Sequence, residues 1–244
     1  MRLLMWLGLA LAAGSAMATE CRQERYAGNG YSICEVDLTR ERLELFLADE
    51  SGGVYGHFGT LDKALAARGL RLGFAMNAGM YHDNRAPVGY YLENGRVLQD
   101  VVSSDGPGNF GLLPNGIFCI GDARADVVET KAFLESKPAC RSATQSGPML
   151  VIDGELHPRF LKNGTSRHIR NGVGTTADGK RAIFVISDNT VNFHEFGSFF
   201  RDGLGIDNAL YLDGNVSRLR APALGRDDAG FTTIGPIVGV VEGN

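Results

Sequence analysis

The chain has 244 residues, of which 44% are hydrophobic and 21% charged, and its formal net charge is −4 at pH 7. These values are typical of a globular protein with one sizeable core, so one domain is the first expectation. The negative net charge, with no basic stripe along the chain, argues against nucleic acid as a partner. The 33 glycines against 8 prolines predict many tight turns.

The N-terminus has the features of an export signal. Arg2 is followed by an apolar run over residues 3–13 and by Ala16-Met17-Ala18, which matches a signal-peptidase site. Residues 1–18 are therefore predicted to be a secretory signal peptide, and residues 19–244 the exported domain, periplasmic or secreted. The apolar run is shorter than the ~20 residues that span a bilayer, so no membrane span is expected after cleavage.

Four cysteines follow the predicted signal, and an even number in an exported chain indicates two disulfides. Sequence order favours Cys21–Cys34 and Cys119–Cys140, although three connectivities are possible. No Cys-x-x-Cys pair occurs, so a zinc or redox site is not expected. We expect the cysteines to be structural.

Periodicity and turn dipeptides predict mostly strands. Alternation indicates strands at 34–38 and 43–47, and helical spacing of apolar residues indicates a helix at 60–68. A buried strand is expected at 71–76 and a closing strand at 232–241. Turn dipeptides predict four hairpins, centred on Asn94-Gly95, Asn115-Gly116, Asp153-Gly154 and Asp178-Gly179.

The main helix is predicted over residues 191–204, where Phe193, Phe196, Phe200 and Leu204 recur at helical spacing and form a core stripe. Asn189 or Thr190 is the expected cap. The helix lies between strands that end near Asp188 and Asp213, which predicts a strand–helix–strand crossover that brings both carboxylates to one sheet edge. The predicted fold is a single α+β domain with a mixed, mainly antiparallel sheet and packed helices.

Asp213 is the residue around which the candidate chemistry is organised. Leu210, Tyr211 and Leu212 form a short apolar strand that ends at Asp213-Gly214, so a carboxylate is delivered to a strand end. An ordinary turn is the alternative, because such dipeptides are common in hairpins.

Four motifs occur in order along the chain, and the last of them contains this carboxylate. They are Phe-Ala-Met-Asn-Ala-Gly-Met-Tyr at 74–81, Thr-Gln-Ser-Gly-Pro-Met-Leu-Val-Ile-Asp-Gly at 144–154, Arg-His-Ile-Arg-Asn-Gly-Val-Gly at 167–174, and Asn-Ala-Leu-Tyr-Leu-Asp-Gly-Asn-Val-Ser-Arg-Leu-Arg at 208–220. Together they resemble the phosphodiester glycosidase family, and especially its bacterial exported, exopolysaccharide-related branch. Many members have glycines and serines after the aspartate, whereas this chain has Asn215-Val216-Ser217-Arg218, which predicts a different substrate pocket.

The resemblance implies a hydrolase that cleaves a sugar-1-phosphodiester, or a related glycosyl linkage, on an envelope or extracellular glycan. Its partner would be a carbohydrate or sugar phosphate. Two alternatives stay open: a non-catalytic glycan-binding protein of the periplasm, and a metal-dependent phosphodiesterase that cuts P–O. No cofactor is expected, and a divalent metal held by oxygen ligands also stays open. The sequence leaves the oligomeric state unassigned.

The site residues follow from this chemistry. An oxocarbenium-like transition state needs a carboxylate, for which Asp213 is the candidate, and a departing phosphate needs cations, for which Arg170 and Arg167 are the candidates. A solvent-facing surface pair is the alternative for the two arginines. Residues expected to contact substrate through amides, hydroxyls or closely approaching backbone are Asn77, Gly79, Gln145, Ser146, Gly147, Asn171, Gly214 and Ser217.

Other polar residues are weaker candidates. Tyr81 could stack on a sugar or pack, and Asp188 and Glu195 are reserve carboxylates, of which Asp188 could instead cap the helix. The histidines show no metal-binding spacing, and His168, between the two arginines, is the favoured one among them. No Gly-x-Ser-x-Gly elbow marks Ser146 as a nucleophile, and no dinucleotide fingerprint occurs.

Overall fold

The structure is a computed structural model that describes residues 19–213 and 216–243. The predicted signal peptide, residues 1–18, and Gly214 lie outside the described residues. Strands dominate the described part of the chain, which contains three α-helices, and every strand pair formed there is antiparallel.

The strands are, in chain order, β1 (Glu20–Tyr26), β2 (Asn29–Asp37), β3 (Arg42–Phe46), β4 (Leu70–Asn77), β5 (Tyr91–Glu93), β6 (Arg96–Gln99), β7 (Gly116–Ile120), β8 (Ala125–Glu129), β9 (Ser142–Ser146), β10 (Met149–Ile152), β11 (Glu155–Leu156), β12 (Asn171–Thr175), β13 (Arg181–Ser187), β14 (Asn208–Asp213), β15 (Leu219–Ala221), β16 (Arg226–Asp227) and β17 (Ile237–Gly243). The helices are α1 (Phe58–Ala66), α2 (Thr130–Ser136) and α3 (Phe193–Ser198). A π-helical turn, Phe199–Gly203, continues α3, and a 3-10 turn covers Pro222–Leu224.

The strands form three sheets, where the sequence predicted one mixed sheet. The seven-stranded sheet has the order β1-β2-β13-β12-β14-β10-β11. The two five-stranded sheets have the orders β16-β15-β4-β17-β3 and β6-β5-β9-β7-β8. All three contribute to one hydrophobic cluster, which includes Phe184, Leu210, Phe74, Val240 and Phe118.

The predicted crossover is confirmed, with one strand inserted in it. The strands β13 and β14 run parallel because each is antiparallel to β12, which lies between them. Asn171 of β12 pairs with Ile186 on one side and with Asp213 on the other. The residues that follow β13 therefore reach the same sheet edge as Asp213, as predicted for Asp188.

Two glycines on β12 allow α3 and its π-helical turn to pack closely on the sheet. A Cβ on Gly172 would lie 2.7 Å from the backbone oxygen of Leu210 and 3.2 Å from the Phe196 ring. A Cβ on Gly174 would lie 3.1 Å from the Phe200 ring. The aromatic stripe of the predicted helix is indeed core, since Phe196 and Phe200 are fully buried.

The predicted bounds of the main helix and its cap are wrong. Val191 exchanges two backbone hydrogen bonds with His168, so it stays extended and the helix cannot begin there. Asn192 is the cap, because its side chain accepts from Glu195 N while the Glu195 carboxylate accepts from Asn192 N. This reciprocal pair is a capping box.

The other sequence predictions have mixed outcomes. The hairpins at Asn94-Gly95, Asp153-Gly154 and Asp178-Gly179 are confirmed. The hairpin at Asn115-Gly116 is wrong: β7 pairs with β8 instead, and Asn115 is fully buried. Its amide donates to Phe110 O, and its Oδ1 accepts from Thr130 Oγ1, so the residue serves as a buried polar link and not as an exposed turn.

Three smaller differences concern the start of one strand, the bounds of one helix and the presence of another helix. The strand predicted at 232–241 starts only at Ile237, directly after Pro236, which has no amide proton to donate to a sheet. The helix predicted at 60–68 spans Phe58–Ala66, and α2 was not predicted.

The disulfides pair as sequence order favoured. Cys21–Cys34 joins facing residues of β1 and β2, and Cys119–Cys140 joins β7 to the segment before β9. Within the residues that the structure describes, no helix is both long enough and apolar enough to cross a membrane.

Candidate functional site

Asp213 ends β14 and lines a cavity of about 510 Å³, which we call the site cavity. Side chains alternate along β14, so Leu212 points into the central cluster while Tyr211 packs beneath α3. Asp213 itself is 8% exposed. The remaining lining comes mainly from two loops, at 80–88 and 107–110, and consists of Met80, Tyr81, His82, Asp83, Arg85, Val88, Pro107, Gly108, Asn109, Phe110, Val216 and Thr232.

Two fully buried asparagines hold the strand ends around Asp213 together. Asn171 Nδ2 donates to Asn77 O and to Asn77 Oδ1, both at 3.1 Å. Asn171 Oδ1 accepts from Asp213 N at 3.1 Å, and Asn77 Oδ1 accepts from Arg218 N at 2.8 Å. The two amides thus connect β4, β12 and β14 at one point, directly beneath the carboxylate-bearing residue.

Two hydroxyls fix the same strand end from other sides. Ser146 is fully buried, and its Oγ donates to Leu212 O at 2.7 Å. Ser217 Oγ lies 2.8 Å from Asp213 O and 3.1 Å from Ile169 O, either of which can accept its proton. The Leu212–Asp213 end of β14 is therefore held by Ser146 of β9, by Asn171 of β12 and by Ser217.

Gln145 is beside the site but its amide is fully occupied. Its Oε1 accepts from Tyr90 N and Val102 N, and its Nε2 donates to Val102 O and Thr130 Oγ1. With 2% of its surface exposed, the residue ties the segment around Val102 to β9. The sequence placed this amide against substrate, whereas in the structure all of its usual hydrogen-bonding positions are filled by the protein.

The predicted glycines are places of close packing. Gly79 has φ of +117°, and a Cβ there would lie 2.8 Å from Thr144 Oγ1. A Cβ on Gly147 would lie 2.7 Å from the Cβ of Asn115. Both therefore allow β4 and β9 to approach their neighbours beneath the site.

Arg170 is fully buried and does not reach the site cavity. Its guanidinium donates to Val191 O, Ser166 O and the Tyr211 hydroxyl, and stacks 3.7 Å from the centre of the Phe193 ring. Burial lowers the pKa of this guanidinium, with Tyr211 opposing the shift. The structure thus surrounds Arg170 with protein groups that connect the third motif to α3.

Arg167 lies in a separate groove of about 590 Å³, which we call the arginine groove. Its lining is Arg167, His168, Ile169, Ser187, Asp188, Thr190, Val216, Ser217, Arg218 and Arg226. Arg167 is paired with Glu195 at 2.9 Å, and this pairing together with the bond from Asn192 N lowers the Glu195 pKa although burial opposes it. Asp188 accepts from Ser32 and Arg226. Both reserve carboxylates are therefore engaged outside the site cavity.

Hydrogen bonds bring together Asp213, Asn77, Asn171 and Ser217, and Ser146 bonds to the neighbouring Leu212. Arg167 lies in the arginine groove, which Ser217 also lines. Gly214 lies outside the described residues. Sequence reasoning missed Asp83, Arg85, Asn109 and Arg218 as neighbours of the site. The polar stretch directly after the first motif, His-Asp-Asn-Arg at 82–85, was the available signal for two of them.

The Tyr81 hydroxyl interacts electrostatically with three charged residues at or near the site cavity. Burial raises the pKa of its hydroxyl, the negative charge of Asp213 raises it further, and the positive charges of Arg85 and Arg218 oppose the rise. The Arg85 guanidinium lies 5.4 Å from the centre of the Tyr81 ring.

Among the described residues, no group of three or more His, Cys, Asp or Glu side chains is arranged to hold a metal ion.

Comparisons with known proteins agree with the motifs. The family model for phosphodiester glycosidases matches residues 71–223, which include all four motifs. The uncharacterized protein YigE of Escherichia coli strain K12 is 35% identical over 184 residues, or 75% of this chain and 71% of that protein.

Two solved structures are similar in fold. The zebrafish N-acetylglucosamine-1-phosphodiester alpha-N-acetylglucosaminidase catalytic domain, auto-inhibited by pro-peptide, has a TM-score of 0.62 and 14% identity, covering 94% of this chain and 85% of that one. A hypothetical protein from Synechocystis has a TM-score of 0.56 and 12% identity, covering 91% of this chain and 61% of that one. At these identities the likeness concerns the fold.

Proposed function

The chain belongs to the phosphodiester glycosidase family, and from that premise we propose that it hydrolyses a sugar-1-phosphodiester, or a related glycosyl linkage, on an envelope or extracellular glycan. The observation that carries the proposal is the placement of Asp213 in the wall of the site cavity, with its backbone held by the side chains of Asn171 and Ser217. A carboxylate fixed in a cavity is what glycosyl transfer requires.

The proposed reaction breaks the bond between the anomeric carbon and the phosphate oxygen. The leaving phosphate takes the electron pair, and positive charge develops on the sugar ring. Water adds its oxygen to the anomeric carbon, which gives the hydroxyl of the free sugar and releases one proton to the solution. Asp213 stabilises the developing positive charge from the cavity wall. A phosphate monoester is a good leaving group, so little proton donation to it is required.

The buried polar residues act on this chemistry through Asp213. Asn77, Asn171, Ser146 and Ser217 position the end of β14 through hydrogen bonds to protein groups. Asn77 Nδ2 is buried and has no hydrogen-bond partner in the described residues. We assign Arg170 a similar positioning role, because its guanidinium is enclosed by Val191, Ser166, Tyr211 and Phe193 and opens on no cavity in which Asp213 takes part.

The two disulfides support an exported protein, periplasmic or secreted. Such bonds persist in oxidising compartments and are rare where thiols are kept reduced. This location would place the enzyme where envelope and extracellular glycans occur.

The test is product analysis of the purified protein on a panel of sugar-1-phosphate diesters, with Asp213→Asn and Asp202→Asn in parallel. Asp202 is the control because it is an exposed carboxylate that pairs with Arg201 and lines neither the site cavity nor the arginine groove. We expect the wild type and Asp202→Asn to release free sugar, and Asp213→Asn to lose roughly a thousandfold in rate.

Other outcomes identify the alternatives. Absence of release from every diester, with glycan binding unchanged in Asp213→Asn, would indicate a binding protein. Hydrolysis in heavy-oxygen water labels the sugar if C–O is cut and the phosphate if P–O is cut. Phosphate labelling together with loss of rate on chelation would indicate a metal-dependent phosphodiesterase.

A further inference from the structure

The half-buried arginines of the described residues fall into two groups. Four of them have a carboxylate oxygen within 4.0 Å, and these are Arg141, Arg201, Arg220 and Arg226. The other two, Arg85 and Arg218, have no such partner in residues 19–213 and 216–243. A partly desolvated guanidinium without a counter-charge favours an anionic ligand, because that ligand restores the electrostatic stabilisation lost from water.

Arg85 is held in the wall of the site cavity by two of its three nitrogens. Its Nε donates to Thr233 Oγ1 and its Nη1 to Asp83 O, each at 2.7 Å. The backbone of Arg85 has φ of +71°, a left-handed conformation that is unfavourable for a residue with a side chain. Its third nitrogen, Nη2, makes no hydrogen bond to the described residues.

Arg218 lines the arginine groove and also a neighbouring cavity of about 280 Å³, whose wall includes Gly230. Its backbone N–H is fixed by Asn77 Oδ1, but its guanidinium makes no hydrogen bond or ion pair with the described part of the chain. The guanidinium lies flat against Gly230, where a Cβ would come 2.0 Å from Nη2. Its acidic neighbours are already engaged, since Asp227 pairs with Arg220 and Asp228 with Arg226.

Arg85 and Arg218 both interact electrostatically with the Tyr81 hydroxyl. Both lower the cost of ionising Tyr81, whose hydroxyl is also under the influence of Asp213. Val216 lines the site cavity and the arginine groove alike, so the two depressions adjoin at this residue. A ligand that extends from Asp213 past Val216 therefore has Arg85 in the wall of the first depression and Arg218 in the wall of the second.

We propose that Arg85 and Arg218 hold the phosphate of the substrate at this junction, with the sugar in the site cavity beside Asp213 and the aglycone along the arginine groove. The inference rests on the proposed function. Guanidinium groups match phosphate oxygens in geometry and charge, and two of them would also stabilise the negative charge that the phosphate gains as it leaves. Arg167 would then contact only the distal aglycone.

Phosphate binding tests the proposal without requiring turnover. Isothermal titration of the purified protein with inorganic phosphate and with methyl phosphate is compared among wild type, Arg85→Gln, Arg218→Gln and Arg96→Gln. The last is the control, because Arg96 is an exposed arginine on β6 without a carboxylate partner in the described residues. We expect each site variant to raise Kd by about ten- to a hundredfold, with the control unchanged.

Absence of phosphate binding by the wild type, or equal affinity in all four proteins, would overturn the proposal. Arg218→Lys keeps the charge but loses the fork, so we expect it to recover part of the affinity without altering the fold. A variant that unfolds is replaced by its lysine counterpart in the comparison.

A second readout separates this proposal from the proposed function. The variants are assayed on a sugar-1-phosphate diester and on a neutral nitrophenyl glycoside of the same sugar. We expect Arg85→Gln and Arg218→Gln to reduce kcat/KM for the diester by at least about tenfold more than for the glycoside. Equal losses on both substrates would refute a phosphate contact. The protein could bind phosphate through both arginines and yet hydrolyse no diester. That result would support the anion site and refute the proposed function.

Discussion

Asn171→Asp is the substitution that most directly tests how Asp213 is held. The two side chains have the same shape, but the new oxygen would replace Nδ2, which lies 3.1 Å from both Asn77 O and Asn77 Oδ1. Three oxygen acceptors would then face one another at a fully buried position. The bond from Asp213 N to the remaining oxygen could persist.

The cost follows from these contacts. Two hydrogen bonds contribute about 1 kcal/mol each, and an unpaired charge at a buried position adds a desolvation penalty, so we expect roughly 4 kcal/mol of lost stability at pH 7. The pKa of the introduced carboxyl would be raised above its unfolded value of about 3.9, because burial and the facing oxygens disfavour its charge. Protonation restores a donor, so the loss is smallest below about pH 4 and grows as pH rises through the folded pKa.

The assay is urea unfolding at pH 7 and about pH 4.5, with Asn189→Asp as the matched control. Asn189 donates through its amide to Asn29 Oδ1 and Thr190 O, but it lies at the surface, where water can replace these bonds. The control should change by less than about 1 kcal/mol. An Asn171→Asp protein within about 1 kcal/mol of wild type at pH 7, or equally destabilised at both pH values, would refute the assigned network.

Two further predictions concern packing and protonation. Gly172→Ala should lower the free energy of unfolding, measured with urea, by about 2 kcal/mol, because the new Cβ would meet Leu210 O. In the control Gly59→Ala on α1, the new Cβ meets no atom within 4 Å, so the change should be neutral or slightly stabilising. Equal effects of the two substitutions would contradict the close approach of α3. Burial lowers the pKa of His157, whose Nδ1 accepts from Arg159 N. Below about pH 6.5 the unfolded chain therefore binds a proton at this imidazole more readily than the folded protein, and stability should decline as the pH falls. A His157→Gln protein with the same pH dependence of stability as the wild type would exclude this residue as the cause.

The sequence was most informative where local chemistry decides the structure. Asp153-Gly154 and Asp178-Gly179 form the predicted hairpins because both aspartates are exposed and both glycines take the left-handed φ that such turns require. The same reasoning failed at Asn115-Gly116, because Asn115 is buried and bonded to Phe110 and Thr130, which lie 5 and 15 positions away and outside the dipeptide. A dipeptide carries no information on what will cover it.

At the site as well, contacts between residues far apart in the sequence were the part that the sequence did not predict. The resemblance of the four motifs to a known family grouped Asn77, Asn171 and Asp213 as site residues, and hydrogen bonds join the three residues in the structure. Arg170 could not be told from a ligand-binding arginine, because its enclosure depends on α3 and Tyr211 arriving from later in the chain. Arg85 was missed for a related reason: its partner Thr233 is 148 residues away.

The supports of Asp213 also bear on when the site can form. The bond from Ser146 to Leu212 spans 66 positions, that from Asp213 to Asn171 spans 42, and that from Arg218 to Asn77 spans 141. Neither disulfide joins these segments. Such non-local pairing closes long loops before any contact is gained, which slows folding towards the millisecond-to-second range typical of β proteins. A shortened chain that ends before residue 218 would lack the last of these ties, so catalytic competence is expected to be a late event in the maturation of the fold.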